Sequence, residues 1–187
     1  SGRYCLGDNL VSLLQYARKN DILLDAAAEV VDELHLKLQE KVNFSVIVDG
    51  ERMTVIRSNC SQTVTVNDSF CEKASFTQTS TGMVLLAYQK EAGLKSILEQ
   101  NGIARDANLL NQLAGVRDKG FCVMDSDDGQ AVFAAAPVFD AGNAICGALG
   151  CHIPRFRFSE IEGEVVEGLL AGAKEMHRRL NNAKLAF

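Results

Sequence analysis

The segment "SFTQTSTGMVLLAYQ", Ser75 to Gln89, places five hydroxyl side chains in seven residues, reaches Gly82 and then turns apolar. From Gly82 onward it has the continuity of a helix buried on most of its surface. The first turn of such a helix leaves backbone N–H groups without intrahelical acceptors and concentrates partial positive charge, which suits a carboxylate or a phosphate. Thr79, Ser80 and Thr81 lie where those donors point. A hydroxyl at the same place also serves as a plain N-cap. Residue types and spacing leave an anion cradle and a simple cap equally open.

A second group lies in "AICGALGCHI", a strand-like run in which Ala148, Gly150 and His152 share one face and Leu149 and Cys151 the other. A histidine beside two very small residues has room in front of it, and its imidazole can hydrogen-bond a ligand acid or a core partner. Cysteines occur at 5, 60, 71, 122, 146 and 151, with no C-x-x-C pair and no histidine at zinc-ligand spacing, so a metal site is not expected. Cys122, Cys146 and Cys151 fall in apolar runs, where a thiol behaves as a small hydrophobe; that pattern fits a reducing cytoplasm. A nucleophilic cysteine with His152 as its base is disfavoured, because Cys151 and His152 alternate across the strand. G-x-S-x-G, H-E-x-x-H, P-loop and dinucleotide fingerprints are all missing. The acidic loop "DSDDG" lacks the terminal glutamate of a calcium loop and reads as a solvated turn.

The elements that must position these groups follow from periodicity. A first helix after Asp8 carries Leu10, Leu13, Leu14 and Ala17, and a second from Asp21 carries Leu23, Ala27, Val30, Val31, Leu34 and Leu38 on one face. "NFSVIVDGERMTVIRS" is a hairpin turning at Asp49-Gly50, and Gln62 to Asn67 alternates as a third strand. Helices are expected over Leu94 to Glu99 and Asp106 to Asp118, the latter closed by Lys119-Gly120. Three further strands, "FCVM", "AVFAAAPVFD" and "AICGALGCHI", precede a long helix opened by the capping box "SEIE" at Ser159. Blocks of strands set apart from helices give an α+β fold with a six-stranded antiparallel sheet flanked by helices.

With 187 residues, 47% of them hydrophobic, the chain has enough for one well-packed domain. A formal net charge of −5 argues against nucleic-acid binding by this chain itself, and no segment has the length of a membrane span.

The run Gly120 to Arg155, with its "AAPVFD" core, resembles the C-terminal signature of the isocitrate lyase regulator (IclR) type of bacterial transcription factors. "SFTQTSTGMVLLA" is similar to that family's Pro-x-His-x-Thr-Ala-x-Gly-Lys-x-x-Leu-Ala helix start, and "YCLG" at Tyr4 to Gly7 resembles the segment leading out of its DNA-binding domain. The resemblance spans essentially the whole chain in order. It implies a GAF-like effector-binding domain over residues 21–187, preceded by a linker helix over 1–20 that follows a winged helix-turn-helix absent from this chain. It implies a cytoplasmic, non-enzymatic regulator that binds a small organic acid, assembles as a homodimer or tetramer and meets operator DNA only through the N-terminal domain.

Carried over by residue, the carboxylate-binding amides correspond to Ser80 and Thr81, beside Thr79, and the pocket acid to Asp125, with Asp127 the alternative. The position often held by cysteine is Phe133, the two serines of the final strand become Gly150 and His152, and an apolar wall residue is Ala74. Gly82-Met83 replaces Gly-Lys. These departures point to a larger acid than glyoxylate or pyruvate, or to a pocket closed by Phe133. The competing function is an oligomerisation module with no ligand.

Overall fold

The structure is a computed structural model, and it describes residues 8–60, 62–66 and 74–185, with side chains from 22 to 182 within those ranges. A 31-residue helix, α1 (Asp8–Leu38), leads into the hairpin β1 (Lys41–Val48) and β2 (Glu51–Arg57). A single 3-10 turn, Phe76–Gln78, precedes α2 (Ser80–Ala87), followed by α3 (Glu91–Gln100) and α4 (Ala107–Lys119). Strands β3 (Cys122–Asp125), β4 (Ala131–Phe139) and β5 (Ile145–Pro154) then run into α5 (Arg155–Leu185). The sheet order is β2-β1-β5-β4-β3, antiparallel throughout.

The α+β class holds, while the sheet has five strands among the described residues rather than six. Residues 62–66 form no strand, and Asn67 lies outside the described residues. Val64 is 53% exposed, while Val66 packs against Ala131 and Phe133. The segment is held instead by side chains, with Arg157 Nη2 donating to the Val64 carbonyl at 3.0 Å and Lys41 Nζ to that of Val66 at 2.8 Å.

The two expected N-terminal helices are one, because "RKND" contains neither glycine nor proline to stop the helix and Asp21 sits inside it. The "YCLG" segment lies outside the described residues. The last helix begins at Arg155, four residues before the expected cap. Strand pairing continues to Pro154 opposite Ala131, and the Arg155 N–H donates to the Gln130 carbonyl at 2.8 Å, so the chain turns from ladder to helix without a loop. Ser159 therefore lies within the first turns, its hydroxyl 3.5 Å from the Arg155 carbonyl.

Other local expectations are met by geometry. Asp49 and Gly50 take φ of 51° and 80° at the hairpin tip, which is docked by Gln100 Nε2 to the Asp49 carbonyl at 2.6 Å and Asn101 Nδ2 to the Gly50 carbonyl at 2.9 Å. Asp106 caps α4 through the Leu109 N–H at 2.8 Å, and Gly120 closes it at φ 80°. "DSDDG" is a turn in which Asp128 accepts from Ser126 Oγ at 2.6 Å.

Strand alternation sorts the sheet into two faces. Phe44, Leu149 and Cys151 join Val30, Leu34, Leu169 and Met176 in the core beneath α1 and α5. Ala135 and Ala148 face the other way, under Leu85 and Leu86 of α2, Leu98 of α3 and Leu113 of α4. Small residues on this second face let α2 lie close to the sheet, which brings its N-terminal turn down onto β5.

Candidate functional site

Thr79 is the N-cap of α2, extended at φ −134° and ψ 143°, and its Oγ1 accepts the Gly82 N–H at 3.2 Å. The Met83 N–H reaches the Thr79 carbonyl at 2.9 Å. Cap and helix thus account for Gly82 and Met83, leaving the first-turn N–H groups of Ser80 and Thr81 without intrahelical acceptors. Both residues are buried, and Ser80 Oγ has no hydrogen-bond partner. Gly82 is required here, since a β-carbon would run into the Phe76 carbonyl oxygen of the preceding 3-10 turn.

Below this turn lies the face of the sheet that carries His152. Its Nε2 accepts from Asn43 Nδ2 at 3.1 Å, and its ring meets that of Phe133 edge-on, with centroids 5.0 Å apart. Asn43 pairs with Gly150 across β1 and β5, while Phe133 pairs with His152 across β4 and β5. Thr81, which follows Ser80 in the same turn, comes down onto Gly150, on the sheet face that also carries the paired Phe133 and His152. Ala74 is half-buried, its carbonyl accepting from Arg52 Nη2 at 3.3 Å.

Asp125 is set apart. It pairs with Val132, which belongs to the core beneath α1 and α5, whereas its neighbour Met124 pairs with Phe133 on the opposite face. Strand alternation therefore turns its carboxylate away from His152, where it forms an exposed ion pair with Arg155. Asp127 lies exposed in the following turn.

The sequence reading missed a polar set on β1 and β2. Asn43 and Ser45 point to the face of Gly150 and Ala148, Ser45 Oγ and Thr54 Oγ1 are 3.0 Å apart, and Ser58 Oγ accepts the Val42 N–H at 2.9 Å. A register shift between Phe44 and Ser45 inserts one extra residue in β2, so that Thr54 and Arg57, three apart, oppose Ser45 and Asn43 on that one face. Lys41, Asn43 and Ser45 alternating with Val42, Phe44 and Val46 was the available signal for β1. The bulge has no comparable signal.

The thiols fit structural roles. Burial pushes the Cys122 thiol up to about 11 and raises that of Cys151, which lies in the opposite core from His152. Among the described residues no group of three His, Cys, Asp or Glu is placed to hold a metal ion, and no helix is long and apolar enough to cross a membrane.

Comparison with known proteins places these features in a family. The chain is 24% identical over 196 residues to a protein of Halobacterium salinarum named as a probable HTH-type transcriptional regulator, ArcR, covering 97% of this chain and 74% of that one. It superposes on the crystal structure of Pseudomonas aeruginosa HmgR with a TM-score of 0.75 at 24% identity, over 95% of this chain and 74% of the other. It also superposes, with a TM-score of 0.68 at 21% identity, on a double mutant of the PobR inducer-binding domain from Acinetobacter in complex with 3-hydroxybenzoic acid, over 82% and 96% of the two chains. The family described as bacterial transcriptional regulator IclR, C-terminal, matches residues 14–178, and the chain belongs to it.

Proposed function

We propose that this domain senses a small organic acid, whose carboxylate is taken by the backbone N–H groups of Ser80 and Thr81 beneath the Thr79 cap. The buried, unpartnered hydroxyl of Ser80 carries this reading. Leaving such a group unsatisfied costs about 1–3 kcal/mol, and a ligand oxygen in the same place satisfies it. His152, held by Asn43, supplies a polar group at the floor, with Phe133 against its ring and Gly150 on the same strand face; Ala74 is the wall residue of this reading. Asp125 and Asp127 stand outside this set. The 3-hydroxybenzoic acid of the PobR domain is an acid of the expected class and size.

In this reading the fold is a GAF-like sensor, residues 21–187, working in the cytoplasm as a homodimer or tetramer. Binding shifts the orientation of N-terminal winged helices attached ahead of a linker over 1–20, and those helices meet operator DNA. The domain performs no catalysis of its own.

A second reading is favoured by the packing at Gly150, where the Thr81 methyl already occupies the space before the strand, and by Phe133 against His152. In that reading the pocket stays shut and the domain only mediates assembly. A thermal-shift panel of aliphatic and hydroxybenzoic acids separates the two. The sensor reading expects at least one acid to raise Tm, and Thr81→Pro, which removes one N–H, to abolish that rise. If no acid stabilises the chain, the assembly reading stands.

A further inference from the structure

Helix α1 carries two apolar stripes, and the domain core uses one. Val30, Val31, Leu34 and Leu38 are buried against the sheet and α5. Leu10, Leu13, Leu14 and Ala17, spaced i, i+3, i+4 and i+7, form the other in the first half of the same unbroken helix, and Leu24 and Ala28 continue it. At 3.6 residues per turn the two stripes lie about 100° apart around the helix. Where the second stripe reaches the domain it stays outside the core: Leu24 is 36% exposed and Ala28 half-buried.

The first half of α1 also runs past the elements that hold the second half. α1 and α5 are antiparallel, with Leu34 beside Gly168 and Gly172, Val30 beside Gly172, and Glu29 paired with Arg179. Continued at that pairing, Leu185 at the end of α5 comes opposite the turn of α1 around Asp21. The strand β1 begins just after α1 ends and has 8 residues; at about 26 Å it reaches back along at most about 17 residues of helix, again to Asp21. Residues 8–20, roughly 20 Å of helix, therefore extend beyond both neighbours.

We infer that this overhang is an interface with a second copy of the chain, and that the two overhangs pair antiparallel about a two-fold axis near Leu13 and Leu14. Charge selects that direction. Antiparallel, Asp8 of each copy comes opposite Lys19 of the other, next to Arg18, and Leu10 comes opposite Ala17. Parallel, Asp8 would meet Asp8 and Lys19 would meet Lys19, and the two helix dipoles would align side by side. The antiparallel contact is isologous, so each copy buries the same stripe. It supplies a seam for the homo-oligomer of the proposed function and uses no ligand, so its failure leaves the acid site as it stands.

The test is sedimentation equilibrium of the chain and of two sets of variants. The inference expects a dimer whose Kd rises at least about tenfold in Leu10→Gln/Leu14→Gln, replacements that keep helix propensity. Asp8→Lys should weaken the dimer, and adding Lys19→Glu should recover most of the loss, because opposite charges then face each other again. Where the glutamine pair also lowers Tm, the charge pair alone decides. A chain that stays monomeric at about 100 µM gives the stripe to some other partner and overturns the inference, as does a dimer that survives the glutamine pair unchanged. No effect of Asp8→Lys, or a loss that Lys19→Glu fails to recover, overturns the antiparallel pairing.

Discussion

Gly150 lies so close beneath Thr81 that a single added carbon on the strand would stand 2.5 Å from the threonine methyl. Real β-carbons do not make contacts that short, so Gly150→Ala must displace the Thr81 side chain or the α2 turn that carries it. The expected cost is about 1–3 kcal/mol in urea unfolding, with loss of any acid-induced rise in Tm. Thr81→Ser removes the methyl and keeps the N–H, and should restore most of the stability of Gly150→Ala. Equal destabilisation in both backgrounds would show that the two residues do not interact.

The Glu40 carboxylate, 3% exposed, receives Arg157 through both Nε and Nη2, joining the start of β1 to the first turn of α5. Arg157→Leu leaves that acid buried without its guanidinium and should cost about 3–5 kcal/mol. Glu40→Gln in the same background removes the charge and should recover part of the loss. A cost below about 1 kcal/mol for Arg157→Leu would place this pair among ordinary surface contacts.

Arg178 and then Arg179 hold the Glu175 carboxyl well below the usual range, at about 2, through hydrogen bonds of 2.7 Å. A carboxyl depressed in the folded state stabilises the fold above its unfolded value of about 4.5, and that contribution fades as pH falls toward about 2. Glu175→Gln should therefore lower Tm near about pH 6 and converge with the parent in strong acid. A difference that persists unchanged at about pH 2 would mean the effect is packing and not charge.

Cys122 and Cys151 are buried, and burial holds both thiols protonated at neutral pH. A maleimide probe should leave them unlabelled in the native chain and label them in denaturant, whereas half-buried Cys60 reacts first. Native-state labelling of Cys151 at the rate of Cys60, read by peptide mass mapping, would contradict the packing around β5.

Periodicity was sufficient where one element buries one face. Val30, Val31, Leu34 and Leu38 on α1, and Val165, Leu169, Met176 and Leu180 on α5, are all core residues as their spacing requires. It failed at the joins. Nothing local forbids Asp21 from capping a helix or Ser159 from opening one, and in both cases an unbroken backbone hydrogen-bond pattern prevails over the side-chain cap. Residues 62–66 have the composition of a strand and yet pair with neither edge strand of the sheet, β2 or β3.

The sequence by itself determined the α+β class, the family and the small-residue face on which α2 rests, because these depend on local spacing and side-chain size. Only the tertiary structure decided which polar groups meet. Asn43 reaches His152 across 109 positions, the β2 bulge turns Arg57 to that same face, and Asp125, an apparent pocket acid, is carried by strand alternation to Arg155 on the other side. Register across a sheet is set by the packing of both its faces at once, so a one-residue shift that no local pattern marks determines which side chains share a cleft.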